Sequence, residues 1–141
     1  MGGMSAALRF DLKELALVGA GAVPGALLRW QAVVQLGPVL GGSAGANLLV
    51  NLVGSFLLGI LAGPLKPASA VMLLLGIGFC GSLTTFSSWM LDVVRLQQQG
   101  HGAWAVLLVA GSLTVGLLAA ALGQASSRWL LRPPTPPRSR R

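Results

Sequence analysis

The sequence predicts an all-α membrane protein with four transmembrane helices, the third of them broken. Three observations carry that expectation. Charged residues make up 9% of the 141-residue chain and hydrophobic ones 54%, whereas soluble domains carry about 25% charged residues. The charges gather towards the chain ends and leave long uncharged runs between them. Within the third run, glycines give way to a cluster of hydroxyl residues, Gly76 to Ser88.

The runs define the spans. Leu15 to Leu28 is uncharged until Arg29 interrupts it; Trp30 to Leu65 is 36 residues without charge, Pro67 to Leu91 is 25, and Leu96 to Ser127 is 32 with only His101 inside. About 20 apolar residues cross the hydrocarbon core as a helix. Helices are the default there because lipid offers no partner to backbone N–H and C=O groups. The alternating ten-residue segments of a membrane barrel are absent from the sequence. The spans fall at roughly 14–36, 43–63, 69–96 and 102–124. Residues 1–13 then form an N-terminal segment, 14–127 the transmembrane domain, and 128–141 a Pro- and Arg-rich tail expected to be disordered. The first apolar run is too long, and has too many successors, for a cleaved signal peptide.

Charge fixes the expected topology. Four spans put both chain ends on one side, together with Arg9, Lys13, Lys66, Arg128, Arg132, Arg138, Arg140 and Arg141, leaving Arg29 and Arg95 on the other. The positive-inside rule places the first set, and both termini, in the cytoplasm. The net charge of +7 is thus expected to orient the chain rather than to bind nucleic acid.

Within the spans, polar residues are the informative ones. Gly19, Gly21 and Gly25 flank Pro24 in the first span, as close helix packing requires. In the second, Ser43, Asn47, Asn51 and Ser55 recur every four residues, followed by Gly59 and Gly63. That spacing draws a polar lane along one helix face. Amides in a membrane span are costly unless satisfied, so the lane fits either interhelical hydrogen bonding or a pore lining. In the third span, Gly76, Gly78 and Gly81 weaken the helix, and Ser82, Thr84, Thr85, Ser87 and Ser88 follow. This fits either a kinked helix whose hydroxyls bond back to their own carbonyls or, the reading preferred here, a break at about Gly81–Thr85, where freed carbonyls and half-helix ends bind ions. Phe86 and Trp89 share a face, which fits either a lipid-facing or core pair or, beside the polar lane, ring edges whose partial positive charge faces an anion. The fourth span adds Ser112 and Thr114.

Catalysis is not expected. Three acids, one histidine and one cysteine are too scattered to supply a nucleophile, a base and an orienting group. Asp92 and Arg95 are placed to pair as structure, His101 belongs to a solvated loop, and Cys80 is a small apolar filler.

The stretch GFCGSLTTFSSW (78–89) resembles the motif of the Fluc/CrcB fluoride channels, as do NLVGSFLLG (51–59) and GAGAVPGALLRW (19–30). The resemblance spans residues of about 15–125. It implies a fluoride-selective passive channel in the plasma membrane of a bacterium that exports toxic fluoride. It also implies an antiparallel dimer with two fluoride pathways and a central structural Na⁺ held by backbone carbonyls at the break, here Gly81 and Thr84. Asn51 matches the pore asparagine, Phe86 the first pore phenylalanine and Ser112 a pore serine. Trp89 stands in place of the second phenylalanine, Leu108 where many members have tyrosine, and Asn47 where threonine is common.

The chemistry suits the residues. Fluoride is small, strongly hydrated and only accepts hydrogen bonds, so its path needs donors that bind weakly enough to release it. Asn51 offers an NH₂ group, Ser87 and Ser112 offer hydroxyls, and Phe86 and Trp89 offer ring edges; Asn47 extends the lane. The charge bias points to a further expectation. The second antiparallel subunit is either identical or a homologue: a homodimer needs one sequence to insert both ways, and the eight cations facing two here suit pairing with an oppositely oriented homologue. Two other functions fit a small four-helix membrane protein. A proton-coupled exporter would depend on Glu14 or Asp92 as a titrating carboxylate. A non-transporting scaffold would use the amides for assembly only.

Overall fold

A computed structural model describes the backbone of residues 6–130 and the side chains of 11–130. Among these residues the chain is helical without strands. The first helix is Ala6–Leu36 and the second Ser43–Ala62. The third span is composite: Met72–Cys80 is wound as a π-helix, Gly81–Leu83 is a single α turn, and Ser87–Gln98 is a separate α-helix. The fourth helix is Gly102–Leu130. Four helical stretches, Asp11–Leu36, Ser43–Ala62, Met72–Gln98 and Gly102–Leu130, are long and apolar enough to cross a membrane. The chain is therefore a multi-pass membrane protein. The first helix begins before the expected position 14, and the fourth runs past 127 through Arg128. The expected disordered tail from Arg132 to Arg141 lies outside the described residues, as do positions 1–5.

Glycine sets the helix pairing. The first helix packs on the first half of the third span, and the second helix on the fourth. A Cβ at Gly21 would strike the backbone carbonyl of Leu74, and one at Gly59 would strike that of Ala120. Close backbone approach of this kind permits the van der Waals packing that helps drive helix association in lipid, where burial of apolar surface offers no gain. Pro24 sits inside the first helix without ending it.

The break in the third span falls at Thr84–Phe86, near the C-terminal edge of the expected Gly81–Thr85. Thr84 turns extended, with ψ of 155°. The π-helical winding before it was not legible from the glycines alone. The Gly81 N–H reaches back to the carbonyls of Gly76 and Gly78, a widened turn of the kind found near functional sites. Gly100, with φ of +78°, ends the third span: the His101 N–H closes onto the Leu96 carbonyl at 2.9 Å, and only glycine takes that conformation freely.

Candidate ion pathway

The second helix carries its polar lane against the third span, and the break divides that lane in two. Asn51 meets the break with both ends of its amide. Its Oδ1 accepts the Thr85 N–H at 2.7 Å, and its Nδ2 donates to the Thr85 carbonyl at 3.0 Å. The helix interruption frees this N–H and C=O, and one side chain satisfies both. One turn earlier, the Asn47 Nδ2 donates to Asp92 Oδ2 at 2.7 Å and the Ser43 hydroxyl donates to Asp92 Oδ1 at 2.7 Å. Asp92 is 4% exposed, and the Arg95 guanidinium stands 3.5 Å away. A buried carboxylate is tolerable when its oxygens accept such donors. Asn47 Oδ1 is buried with no partner among the described residues.

Clamping the break changes the carbonyls beside it. In a continuous helix the Thr85 N–H would bond the Gly81 carbonyl, and the Ser88 N–H that of Thr84. The first instead goes to Asn51, and the second to Thr85 Oγ1 at 3.3 Å. The Gly81 carbonyl keeps only a 3.3 Å contact from the Thr84 hydroxyl. These carbonyls end one half-helix, whose dipole favours cations, while Ser87–Gln98 begins the other, whose N-terminus favours anions. Two neutral carbonyls with free lone pairs are suitable oxygen donors for a hard monovalent cation. No group of three or more metal-ligating side chains occurs among the described residues.

Two cavities flank the clamp. One, of about 380 Å³, is lined by Asn51, Ser55, Thr85, Phe86, Trp89 and Ser112 among others, and no charged residue borders it. The other, of about 300 Å³, is lined by Arg29, Ser43, Asn47, Ser88, Asp92 and Arg95 among others. In the neutral cavity Phe86 and Trp89 lie with ring centroids 5.6 Å apart and planes tilted by 54°. Their surroundings differ: Phe86 is 72% exposed and Trp89 6%. The Trp89 indole N–H donates to Ser112 Oγ at 3.1 Å.

The expected pathway residues are thus distributed unevenly. Asn51, Phe86, Trp89, Ser112 and Thr84 meet around the neutral cavity. Asn47 lines the charged one. Ser87 is exposed at the start of the second half-helix and Gly81 is exposed in the turn before the break; neither borders either cavity. The Asn51 amide engages backbone. Leu108 is half-buried in the fourth helix, and Cys80 is buried as the filler expected. Sequence reasoning missed Thr85 as the partner of Asn51 and Asp92 as the partner of Ser43 and Asn47. The second had a signal: a carboxylate in a span requires donors, and the lane supplies them.

The cationic residues separate along the bundle. Arg29 and Arg95 line the same cavity. Lys66 follows the second helix, whose end at Gly63 lies against Ser127, beside Arg128. Arg29 and Arg95 thus share one end of the bundle, and Lys66 and Arg128 lie together away from them.

Comparison with known proteins completes the description. Residues 16–124 match the family described as CrcB-like protein, Camphor Resistance (CrcB). The chain is 54% identical over 132 residues to the fluoride-specific ion channel FluC 2 of Synechococcus sp. (strain CC9605), covering 94% of this chain and 93% of that one. It is 53% identical to the fluoride-specific ion channel FluC 2 of Parasynechococcus marenigrum (strain WH8102), covering 94% and 93%. It is 38% identical to the fluoride-specific ion channel FluC 1 of that same strain, covering 78% and 90%. Four membrane-length helices, a clamped break in the third, and a match across nearly all of the transmembrane region agree: the chain belongs to the CrcB family.

Proposed function

We propose that this chain is a subunit of a fluoride-selective passive channel that lets toxic fluoride leave the cytoplasm, rather than an enzyme or a pump. The observation that carries the reading is the neutral cavity beside the broken helix. Its polar groups are uncharged, its ring edges come from Phe86 and Trp89, and a half-helix N-terminus lies next to it. Such a lining replaces the water around a small anion without a cation that would trap it. The printed names of the relatives, fluoride-specific ion channels, support the same substrate.

Asn51 serves this function by holding the break open. Its amide ties the second helix to Thr85, so the two half-helix ends keep their positions when an ion passes. Ser55 and Ser112 present hydroxyls to the cavity, and Phe86 presents its ring from an exposed position suited to contact with a second subunit. Asp92, held by Ser43, Asn47 and Arg95, acts as structure at the mouth of the pathway.

The second subunit runs antiparallel to the first in the plasma membrane. The bias of eight cations to two favours one insertion, with both termini cytoplasmic, so the partner is a homologue inserted the other way. That one strain holds a FluC 1 and a FluC 2, both related to this chain, supports such pairing. A structural Na⁺ between subunits would be held by the Gly81 and Thr84 carbonyls, whose helical donors are engaged elsewhere. It would supply positive charge to these carbonyl dipoles, and exchanging Na⁺ for a large organic cation should promote dissociation of the purified dimer.

The test is fluoride efflux from liposomes holding this protein purified together with its co-expressed homologous partner, with chloride as control. Efflux of fluoride without chloride is expected. Equal passage of both ions, or of neither, from a well-folded complex would overturn the reading. Reporter fusions at the C-terminus test the pairing: a single cytoplasmic population is expected, and equal populations on both sides would contradict it.

A further inference from the structure

We infer that Trp89 is a positioning residue, whose indole N–H holds the Ser112 hydroxyl so that its proton points into the neutral cavity as a donor to the passing anion. The inference rests on the fluoride-channel reading above and assigns a role to a side chain that is tryptophan in this chain.

Hydroxyls on the fourth helix supply the evidence. Thr114 donates back to the Ala110 carbonyl at 2.8 Å, Ser126 to that of Leu122 at 2.8 Å, and Ser127 to that of Gln124 at 3.0 Å. That is the ordinary resting place of a hydroxyl proton on a helix in lipid, where a neighbouring carbonyl is the nearest acceptor. Ser112 makes no such bond to Leu108. Its oxygen instead accepts the Trp89 N–H at 3.1 Å, and its own proton has no acceptor among the described residues. An indole N–H is a donor only and never accepts, so the serine proton cannot turn towards Trp89. With Trp89 6% exposed and Phe86 packed against it, the ring is fixed and the hydroxyl is fixed with it. Ser112 borders the cavity together with Asn51, whose bonds to Thr85 engage its carbonyl and one N–H. A serine donor held ready therefore adds weight where the amide is partly occupied. A phenylalanine at position 89 offers no N–H, and the serine is then free to turn back onto the Leu108 carbonyl.

The experiment compares the reconstituted wild-type channel with Trp89→Phe, Ser112→Ala and the double variant, each first checked for a monodisperse peak in detergent. Trp89→Phe should slow fluoride efflux by about three- to tenfold, the range of one hydrogen bond. Ser112→Ala should slow it at least as much, and the double variant should be no slower than Ser112→Ala alone, because the two residues act as one unit. The indole N–H vibration of Trp89, isolated by subtracting the Trp89→Phe spectrum, should shift in Ser112→Ala, a change that a packing role would not produce. Wild-type efflux from Trp89→Phe, multiplicative losses in the double variant, or an unshifted N–H band would each overturn the inference while leaving the channel reading intact. Absence of fluoride efflux from the wild-type protein reconstituted with its homologous partner would instead overturn the channel reading and this role with it.

Discussion

Asn47 and Asn51 lie one turn apart on the same face of the second helix, and both enter the third span with their amides, yet they meet different chemistry. Asn47 donates to a buried carboxylate, beside two arginines and a serine. Asn51 closes on a backbone N–H and C=O at a helix break, in a cavity with no charge. One region is a charged bracket that joins the ends of two spans. The other is a neutral gap that a continuous helix would fill. The same amide thus braces a carboxylate in one place and caps the backbone of a helix break in the other, because the partner across the interface differs. Polar spacing alone marks both positions and distinguishes neither.

The largest expected effect is at Asn51. Asn51→Ala leaves the Thr85 N–H and carbonyl unpaired in a low-dielectric site, at about 1–3 kcal/mol for each orphaned group. Fluoride efflux should fall by about a hundredfold, and unfolding in a denaturing detergent titration should move earlier. Retained efflux would show that the break stands without its clamp. Next is Asn47→Ala, which removes one donor from Asp92 but leaves Ser43 and Arg95. A hydrogen bond to a charged group contributes about 1.5–3 kcal/mol, so stability should fall by that order while fluoride efflux stays within about threefold of wild type. A loss as deep as that of Asn51→Ala would erase the distinction between the two regions. Ser43→Ala should have a smaller effect of the same kind, read by the same unfolding titration. Smallest is Glu14→Gln. Glu14 lies on the first helix and borders neither cavity, so efflux should be unchanged; its abolition would favour a proton-coupled exporter.

The spans were legible because missing charge is a local property of the chain. Trp30 to Leu65 and Leu96 to Ser127 declare themselves without any knowledge of neighbours. The break was legible as a region, since Gly81 to Ser88 is poor helix-forming sequence. Its residues were not, because the winding ends where Asn51 captures Thr85, a contact 34 positions apart. The π-helical segment is of the same kind: it lies where Gly78 closely approaches the first helix at Val18, a contact between spans. Asp92 illustrates the limit most plainly. Its i,i+3 neighbour Arg95 is visible in the sequence, but Ser43 and Asn47 are brought to it by helix register. Trp89 stands out as a departure from the family motif, while its bond to Ser112 depends on the packing of the third span against the fourth.

In the proposed channel the neutral cavity passes fluoride and little else. The most direct test is efflux from liposomes carrying this chain co-expressed with an oppositely biased homologue, followed with a fluoride electrode and then a chloride electrode. Rapid loss of trapped fluoride with chloride retained is expected, and the loss of that flux in Asn51→Ala. Retention of fluoride by liposomes that hold the well-folded complex, or equal release of chloride, would contradict it.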